Sequence, residues 1–154
     1  MATLYSTQKT KWSQNVPSEK IDTNEQSGRI RIAFADVTLA AAAIADVVQM
    51  VNLPNGARII DGYLTTAALG ASTTLSVGYA AHKNAAGTTV ALSAAAYFVA
   101  ASTATAARND IFATQALGAN TVVDANEDGL PITITVGGAA ATGIAQVAVR
   151  YVVD

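Results

Sequence analysis

After residue 28, this chain is dominated by short segments in which apolar residues alternate with small or polar ones. The clearest example is 53–79, LPNGARIIDGYLTTAALGASTTLSVGY, where two such segments flank a glycine-containing connection. A period of two residues is typical of β-strands that bury one face, and the Pro54-Asn55-Gly56 stretch favours a turn before them. The sequence therefore predicts two strands here, joined as a β-hairpin.

A second pair of alternating segments lies at 132–136 and 145–153. Apolar or small residues recur at every second position in each: Ile132, Ile134 and Val136, then Ala145, Val147, Val149, Tyr151 and Val153. A glycine-rich stretch at 137–143 separates the two segments and favours a turn. We expect a second hairpin that brings the last segment into a sheet.

The first alternating segment, 30–39, changes phase along its length. Its large apolar residues lie at even positions first and at odd positions later: Ile30, Ile32 and Phe34, then Val37 and Leu39. A change of parity within one strand is typical of a β-bulge or bend, which we expect near Ala35-Asp36. Residues 46–53 are rich in β-branched side chains and predict the next strand.

Segment 80–107 is rich in alanine, so helix and strand propensities compete within it. We expect a turn at 82–84, a strand at 88–92, one or two helical turns at 94–101, and further strands at 111–115 and 121–123. About eight turn-bounded strands favour an all-β, jelly-roll-like β-sandwich domain over residues 29–154. Residues 1–28 are polar and show neither period, which predicts an extended N-terminal arm.

Charge is sparse and unevenly distributed. Residues 1–31 carry five basic and three acidic side chains, a balance of +2, whereas residues 32–154 carry four basic and eight acidic ones, a balance of −4. Proteins that bind nucleic acid usually present a clustered basic face, which this pattern does not supply. The uncharged run 84–107 is mostly Ala, Ser and Thr, a composition that disfavours a membrane span. We therefore expect neither a nucleic-acid nor a membrane partner.

The sequence contains no cysteine, so neither a disulfide framework nor a thiolate metal site is available. Its first residues, MATLYSTQKTKW, lack the apolar segment of a secretory signal. We expect synthesis in a reducing cytoplasm, with stability supplied by packing, a bound ion or oligomerisation.

The sharpest chemical candidate is the acidic segment 124–129, DANEDG, which places oxygen ligands at alternate positions before a glycine, as a calcium-binding loop does. The carboxylate that would close such a loop is replaced by Thr135, and Pro131 follows the glycine closely. We interpret the segment as an acidic turn that leads into a strand, and we predict neither a metal ion nor a cofactor.

Catalytic residues are not predicted. His82 is the only histidine, it lies in an expected surface turn, and no G-x-S-x-G stretch supplies a nucleophile, so we expect no enzyme. Four aromatic residues could line a sugar-binding groove, although in a β-sandwich such residues more often fill the core or a seam between subunits. They are Tyr63, Tyr79, Tyr97 and Phe98.

Two parts of the chain, VNLPNGARIIDGYLTTAALGASTTLSVGYA (51–80) and ITITVGGAAATGIAQVAVRYVV (132–153), resemble small virion structural proteins of tailed bacteriophages, in particular capsid decoration or cement proteins. The resemblance lies in the style and order of the elements. It implies a jelly-roll protein, commonly a homotrimer, that is made in the host cytoplasm and lies on the capsid surface of the virion. Its partners would be the major capsid protein and further copies of itself.

On this hypothesis the polar arm contacts the capsid shell or a neighbouring copy. The residues expected to make these contacts are two aromatic and four basic side chains: Tyr5, Lys9, Lys11, Trp12, Arg29 and Arg31. Large aromatic residues carry much of the binding energy at interfaces, although a single tryptophan in a polar arm can equally be a local packing feature. The alternative function is a receptor- or carbohydrate-binding virion module that uses exposed aromatic residues on its loops.

Overall fold

The computed structural model describes residues 28–103, 105–112 and 122–153, together with Ser6, Lys9 and Lys11; at 98–102 the description covers the backbone alone. This part of the chain forms ten β-strands. They are β1 (Ile30–Ala42), β2 (Val47–Leu53), β3 (Arg58–Thr66), β4 (Thr74–Tyr79), β5 (His82–Lys83), β6 (Thr89–Val90), β7 (Ser93–Ser102), β8 (Ala107–Ile111), β9 (Leu130–Gly137) and β10 (Ala141–Val152). Every pairing between them is antiparallel.

Eight of these strands form two four-stranded sheets. The first sheet has the order β1-β10-β3-β8 and the second has the order β2-β9-β4-β7, while β5 and β6 form a separate ribbon. Except for the step from β4 to β7, successive strands of the eight lie in opposite sheets. This connectivity is that of a jelly roll. The predicted all-β, jelly-roll-like β-sandwich is confirmed.

The core lies between the inner faces of the two sheets. Its main contributors are branched aliphatic side chains with at most 1% exposure: Ile59, Leu64, Val147 and Val149 from the first sheet, and Leu75, Val77, Ile132, Ile134 and Val136 from the second. Full burial of one such side chain contributes about 1.5–3 kcal/mol. The inward faces predicted for β9 and β10 from their alternation are confirmed.

Neither predicted hairpin forms. The alternating segments within 53–79 are strands, but β3 pairs with β10 and β8, whereas β4 pairs with β7 and β9. In the same way, β9 belongs to the second sheet and β10 to the first. The hairpin predictions were wrong because alternation identifies the buried face of a strand and carries no information about its partner. Both connections instead cross from one sheet to the other.

The irregularity in β1 lies farther along the strand than predicted. Pairing with β10 is uninterrupted from Ile30 to Leu39, and the register shifts only between Leu39 and Ala42. There Ala41 adopts a φ of 55°, a left-handed conformation that is unusual for a residue with a side chain. The expected bulge near Ala35-Asp36 was therefore wrong. The change of parity in the sequence has another origin, which lies in the outward face of β1.

Residues 94–101 belong to strand β7, where helical turns were expected. Pairing with β4 outweighs the modest helix propensity of the alanines. The pairing is irregular, since Tyr79 lies opposite Ser93 and Val77 lies opposite Phe98. The intervening part of β7 passes directly over Gly78, where a Cβ atom would overlap the carbonyl oxygen of Ser93.

Candidate functional site

The outward face of β1 carries a row of large apolar side chains, which we call the apolar stripe: Ile30, Ile32 and Phe34. Their exposed fractions are 60%, 64% and 55%. The alternate residues of the strand point inward, and Ala33 and Val37 pack against the core. In the first half of the strand the larger side chains therefore face outward, whereas in the second half Val37 and Leu39 face the core, which explains the apparent change of phase in the sequence.

The stripe continues into a mixed aromatic and charged surface on the neighbouring strands. Phe34 lies opposite Ala148 of β10, and Ala148 lies opposite Tyr63 of β3. Ala148 is only 1% exposed although it points outward, because two larger aromatic neighbours flank it. The guanidinium carbon of Arg108, on β8, lies 3.7 Å from the centre of the Tyr63 ring, a cation–π contact.

A bidentate ion pair lies beside the stripe on the same face. Arg150 of β10 lies opposite Ile32 of β1. The Arg150 Nε donates to Asp61 Oδ1 at 2.5 Å, and the Arg150 Nη2 donates to Asp61 Oδ2. These hydrogen bonds, and then the charge of the carboxylate, raise the pKa of Arg150. Both side chains are close to half exposed. An ion pair this accessible to water contributes little to stability, but it holds both groups in fixed positions.

We call these residues together the outer face of the first sheet. Its outward positions are Ile30, Ile32, Phe34, Asp36 and Thr38 on β1; Ile144, Gln146, Ala148 and Arg150 on β10; Asp61, Tyr63 and Thr65 on β3; and Arg108 and Asp110 on β8. This set holds two aromatic residues, two arginines and three aspartates but neither lysine nor glutamate. Protein–protein interfaces are enriched in aromatic residues and arginine and depleted in lysine, glutamate and aspartate, so the set shares this bias except for its aspartates.

The second sheet presents a different outward surface. The outward positions of its two central strands are small or hydroxyl-bearing and at most partly exposed, with Thr135 opposite Ser76 and Thr133 opposite Gly78. Thr133 is fully buried. Of the two outward faces that the structure describes, only that of the first sheet combines exposed large apolar residues with paired charges.

Two of the six contact residues predicted from the sequence adjoin the apolar stripe. Arg29 and Arg31 are exposed and lie on either side of Ile30 at the start of β1. Lys9 is exposed and Lys11 is half-buried; both have helical backbone geometry, and the Lys9 N–H donates to Ser6 Oγ at 3.1 Å.

The other two predicted contact residues, Tyr5 and Trp12, lie outside the described residues. The apolar stripe itself was not predicted from the sequence. The signal that could have found it was the change of parity after Phe34, which has two explanations: a bulge, or an apolar row on the outward face.

The acidic segment 124–129 forms a turn whose polar groups bond within the protein. Asp124 Oδ1 accepts from the Ala85 N–H at 2.9 Å, and Asn126 Oδ1 accepts from the Asp128 N–H at 3.2 Å. Gly129 has a φ of 80°, and β9 begins at the next residue. The predicted acidic turn leading into a strand is confirmed. Among the described residues, no group of three or more acidic, histidine or cysteine side chains could hold a metal ion.

Three of the four aromatic residues considered for a sugar-binding groove can be placed. Tyr97 is 5% exposed, its ring lies 4.6 Å from that of Phe112 and 5.9 Å from that of Tyr79, and its burial raises its pKa to about 12, with a further contribution from Tyr79. Tyr63 lies apart, under Arg108. These rings therefore do not line one common groove, and the side chain of Phe98 is outside the described part.

His82 is not in the surface turn expected from the sequence. It begins β5, its Nδ1 is 3.0 Å from the Ala80 carbonyl oxygen, and its ring packs edge-on against Tyr79 at 5.4 Å. The turn comes after it, where the Gly87 N–H donates to the Asn84 carbonyl oxygen. Within the described residues, no helix has the length and apolar character needed to cross a bilayer.

Solved structures of phage capsids contain chains whose fold is similar to that of this chain. No protein family matches the sequence, and no curated protein does. The structure is similar to a chain of the "Cyanophage Pam1 capsid asymmetric unit", with a TM-score of 0.57 and 23% identity over 82% of this chain and 86% of that one. It is also similar to a chain of the "Capsid of Ralstonia phage GP4", with a TM-score of 0.62, 18% identity and the same coverages.

The likeness is one of fold. At these identities it carries no residue-level correspondence. Because the shared part covers more than four fifths of both chains in each comparison, the matched chains and this one have similar lengths and share most of one jelly-roll domain.

Proposed function

We propose that this chain is a virion structural protein of a bacteriophage that binds and stabilises an assembled capsid as a decoration, or cement, protein. The observation that carries the proposal is the fold: a jelly roll of similar length occurs in the capsids of two phages and aligns over most of this chain. The proposed place of action is the capsid surface of the virion, after synthesis in the host cytoplasm. The proposed role is structural and not enzymatic.

The proposed partners are the major capsid protein and further copies of this chain, assembled as a homotrimer. Many identical copies bound to one symmetric shell gain stability by mass action, which a single small domain lacks. A body with few charges and an outer face rich in aromatic residues and arginine suits this role. We propose that the basic arm, through Tyr5, Lys9, Lys11, Trp12, Arg29 and Arg31, contacts the shell or a neighbouring copy.

Retention on capsids tests this proposal. Shells assembled from the major capsid protein of the same genome would be mixed with the purified chain, and bound protein would be measured after sedimentation. The expected result is saturable binding and a shell that resists heating better. Absence of binding at micromolar concentration would refute the decoration role.

The part played by the arm is tested separately. Deletion of residues 2–27, and the substitutions Arg29→Glu and Arg31→Glu, should weaken retention. Lys83→Glu is the matched control, because Lys83 is also an exposed cation but lies on the β5–β6 ribbon. Undiminished retention of the truncated chain would exclude the arm as a contact while leaving the decoration role intact.

A further inference from the structure

We propose that the apolar stripe of β1 is the surface through which one copy of this chain contacts the next. The inference deepens the proposed function, since self-association is part of that proposal. The inference concerns association of the free protein in solution, which is measured separately from capsid binding. The chain could bind capsids without associating through the stripe, or associate through the stripe without binding capsids. The occupant of the stripe is a second copy of this chain, for the reasons that follow.

The first reason is that β1 is a long edge strand whose outer edge pairs with no other described strand. Among the described residues it pairs on one side only, with β10. Natural edge strands are usually short, interrupted by a bulge, or protected by lysine or proline, because free backbone groups invite pairing with other chains. β1 is 13 residues long and contains neither lysine nor proline; it is regular from Ile30 to Leu39, its charged residues are Arg31 and Asp36, and its register shifts only near its end, between Leu39 and Ala42. A free protein with this edge exposed would be prone to uncontrolled association.

The second reason is the size and layout of the surface. With about 200 Å² for the phenylalanine and about 150 Å² for each isoleucine, the lower end of the aromatic range, the three exposed fractions give a stripe of about 300 Å². This area lies at the lower end of the range of about 300–600 Å² at which the largest apolar patch of a monomer is often functional. A standard interface buries about 800 Å² on each partner. The adjoining Arg150–Asp61 pair and the Tyr63–Arg108 contact form a polar rim beside the stripe. This rim brings the total contact surface closer to the area of a standard interface.

The third reason is charge. The outward positions of the first sheet carry both signs, with Arg108 and Arg150 against Asp36, Asp61 and Asp110. A strongly acidic or basic partner would meet groups of its own sign there. A second copy presents the same mixture of signs, and its stripe offers apolar surface to apolar surface. The face is therefore compatible with itself.

The mass of the full chain in solution is the first test. Sedimentation velocity or native mass spectrometry at micromolar concentration should show an oligomer. The double variant Ile32→Asp and Phe34→Asp should raise the dissociation constant at least about 100-fold, as expected for central interface residues. Leu92→Asp is the control, because Leu92 is 47% exposed but lies between β6 and β7, and it should leave the mass unchanged.

Crosslinking supplies a second test that does not depend on loss of association. Because the chain has no cysteine, Ile32→Cys introduces a single thiol. Mild oxidation should give a covalent dimer if two stripes approach, since a disulfide needs Cα atoms within about 7 Å. Leu92→Cys should give none. The Ile32→Thr and Phe34→Thr pair places a β-branched side chain, which suits a strand, at both positions, and it should also dissociate while retaining the strand spectrum in circular dichroism.

The outcomes separate the hypotheses. A monomeric full chain, or an oligomer whose mass survives the double substitution, would overturn the stripe as the contact between copies. A chain that is monomeric at full length and associates only after deletion of residues 2–27 would also overturn it, because the arm would then be the occupant. A stripe-dependent dimer would support the contact and contradict the homotrimer of the proposed function.

Discussion

Gly78→Ala should destabilise this fold strongly, although Gly78 lies within a strand at a backbone conformation open to other residues. A Cβ atom there would overlap the Ser93 carbonyl oxygen and lie 2.7 Å from the carbonyl carbon of Ala94. Ordinary contact begins near 3.4 Å and the Ser93 oxygen would lie 1.8 Å from the added Cβ, so these atoms must move apart by about 1.6 Å. The obstructing atoms are backbone, which cannot rotate away as a side chain can.

The cost follows from that displacement. Overpacking of a well-packed interior typically costs about 1–3 kcal/mol and occasionally more. Replacing glycine returns about 0.4–1 kcal/mol through the lower entropy of the unfolded chain. Because the obstructing atoms are backbone, we expect a net loss near the upper end of the difference between these ranges, about 2–2.6 kcal/mol at Gly78, which corresponds to a fall in melting temperature of about 4–10 °C for a chain of this size.

The measurement is urea and thermal unfolding followed by circular dichroism. Gly87→Ala is the control: Gly87 has a φ of 80° with no atom within 4 Å of the added Cβ, so only the backbone penalty of about 1 kcal/mol applies. The Gly78 variant should be less stable than the Gly87 variant. A melting temperature for Gly78→Ala within about 2 °C of the parent chain would refute the account of how β7 crosses β4.

Three further outcomes are expected. Gly129→Ala should lower the free energy of unfolding by about 1–3 kcal/mol more than Gly56→Ala does. Both glycines have a positive φ, but only at Gly129 would a Cβ atom lie 2.6 Å from a backbone oxygen. Equal urea midpoints for the two variants would contradict this expectation. Leu64→Ala should lower the free energy of unfolding by about 2–5 kcal/mol, whereas Leu92→Ala should change it by less than about 0.5 kcal/mol, since Leu64 is fully buried and Leu92 is half exposed. Folding raises the pKa of the Tyr97 phenol from 10.0 to about 12, so the folded state holds this proton more firmly than the unfolded chain does. The contribution of this phenol to the free energy of unfolding is therefore fully present below pH 10 and is lost as the pH rises toward 12. Urea midpoints between pH 9 and 12 should therefore fall less for Tyr97→Phe than for the parent chain, and identical profiles would contradict the burial of this phenol.

Local alternation was enough to predict the class of fold and most of its strands. Ile132, Ile134 and Val136 face the core as expected, and so do Val147 and Val149. Alternation could not predict which strands pair, because the strands of a jelly roll pair mostly with segments that are distant in sequence. β10, for example, pairs with β1 and β3 and not with its neighbour β9. Loop length and side-chain period do not encode that choice.

The alanine-rich segment shows a second limit. Ala94, Ala95 and Ala96 have good helix propensity, yet they lie in β7. Two features of the assembled sheet favour the strand: β4 offers a free edge, and Gly78 gives room for the irregular part of β7 to pass close to it. Both features involve residues at least fifteen positions away, so a local window cannot detect them. Propensity loses to tertiary context at such sites.

The apolar stripe was the part of the candidate site that was not predicted from the sequence. The reason for this failure is relevant to the function of the stripe. Ile30, Ile32 and Phe34 would each contribute about 1.5–3 kcal/mol if buried in the core, yet the strand directs them outward and places Ala33 and Ala35 inward. The opposite phase would bury these three side chains, but it would also turn Val37 and the core residue Leu39 outward and bury Asp36 and Thr38. The core contacts of Val37 and Leu39 therefore fix the phase of the whole strand, and the apolar surface that this phase leaves exposed supports the use of this face in assembly.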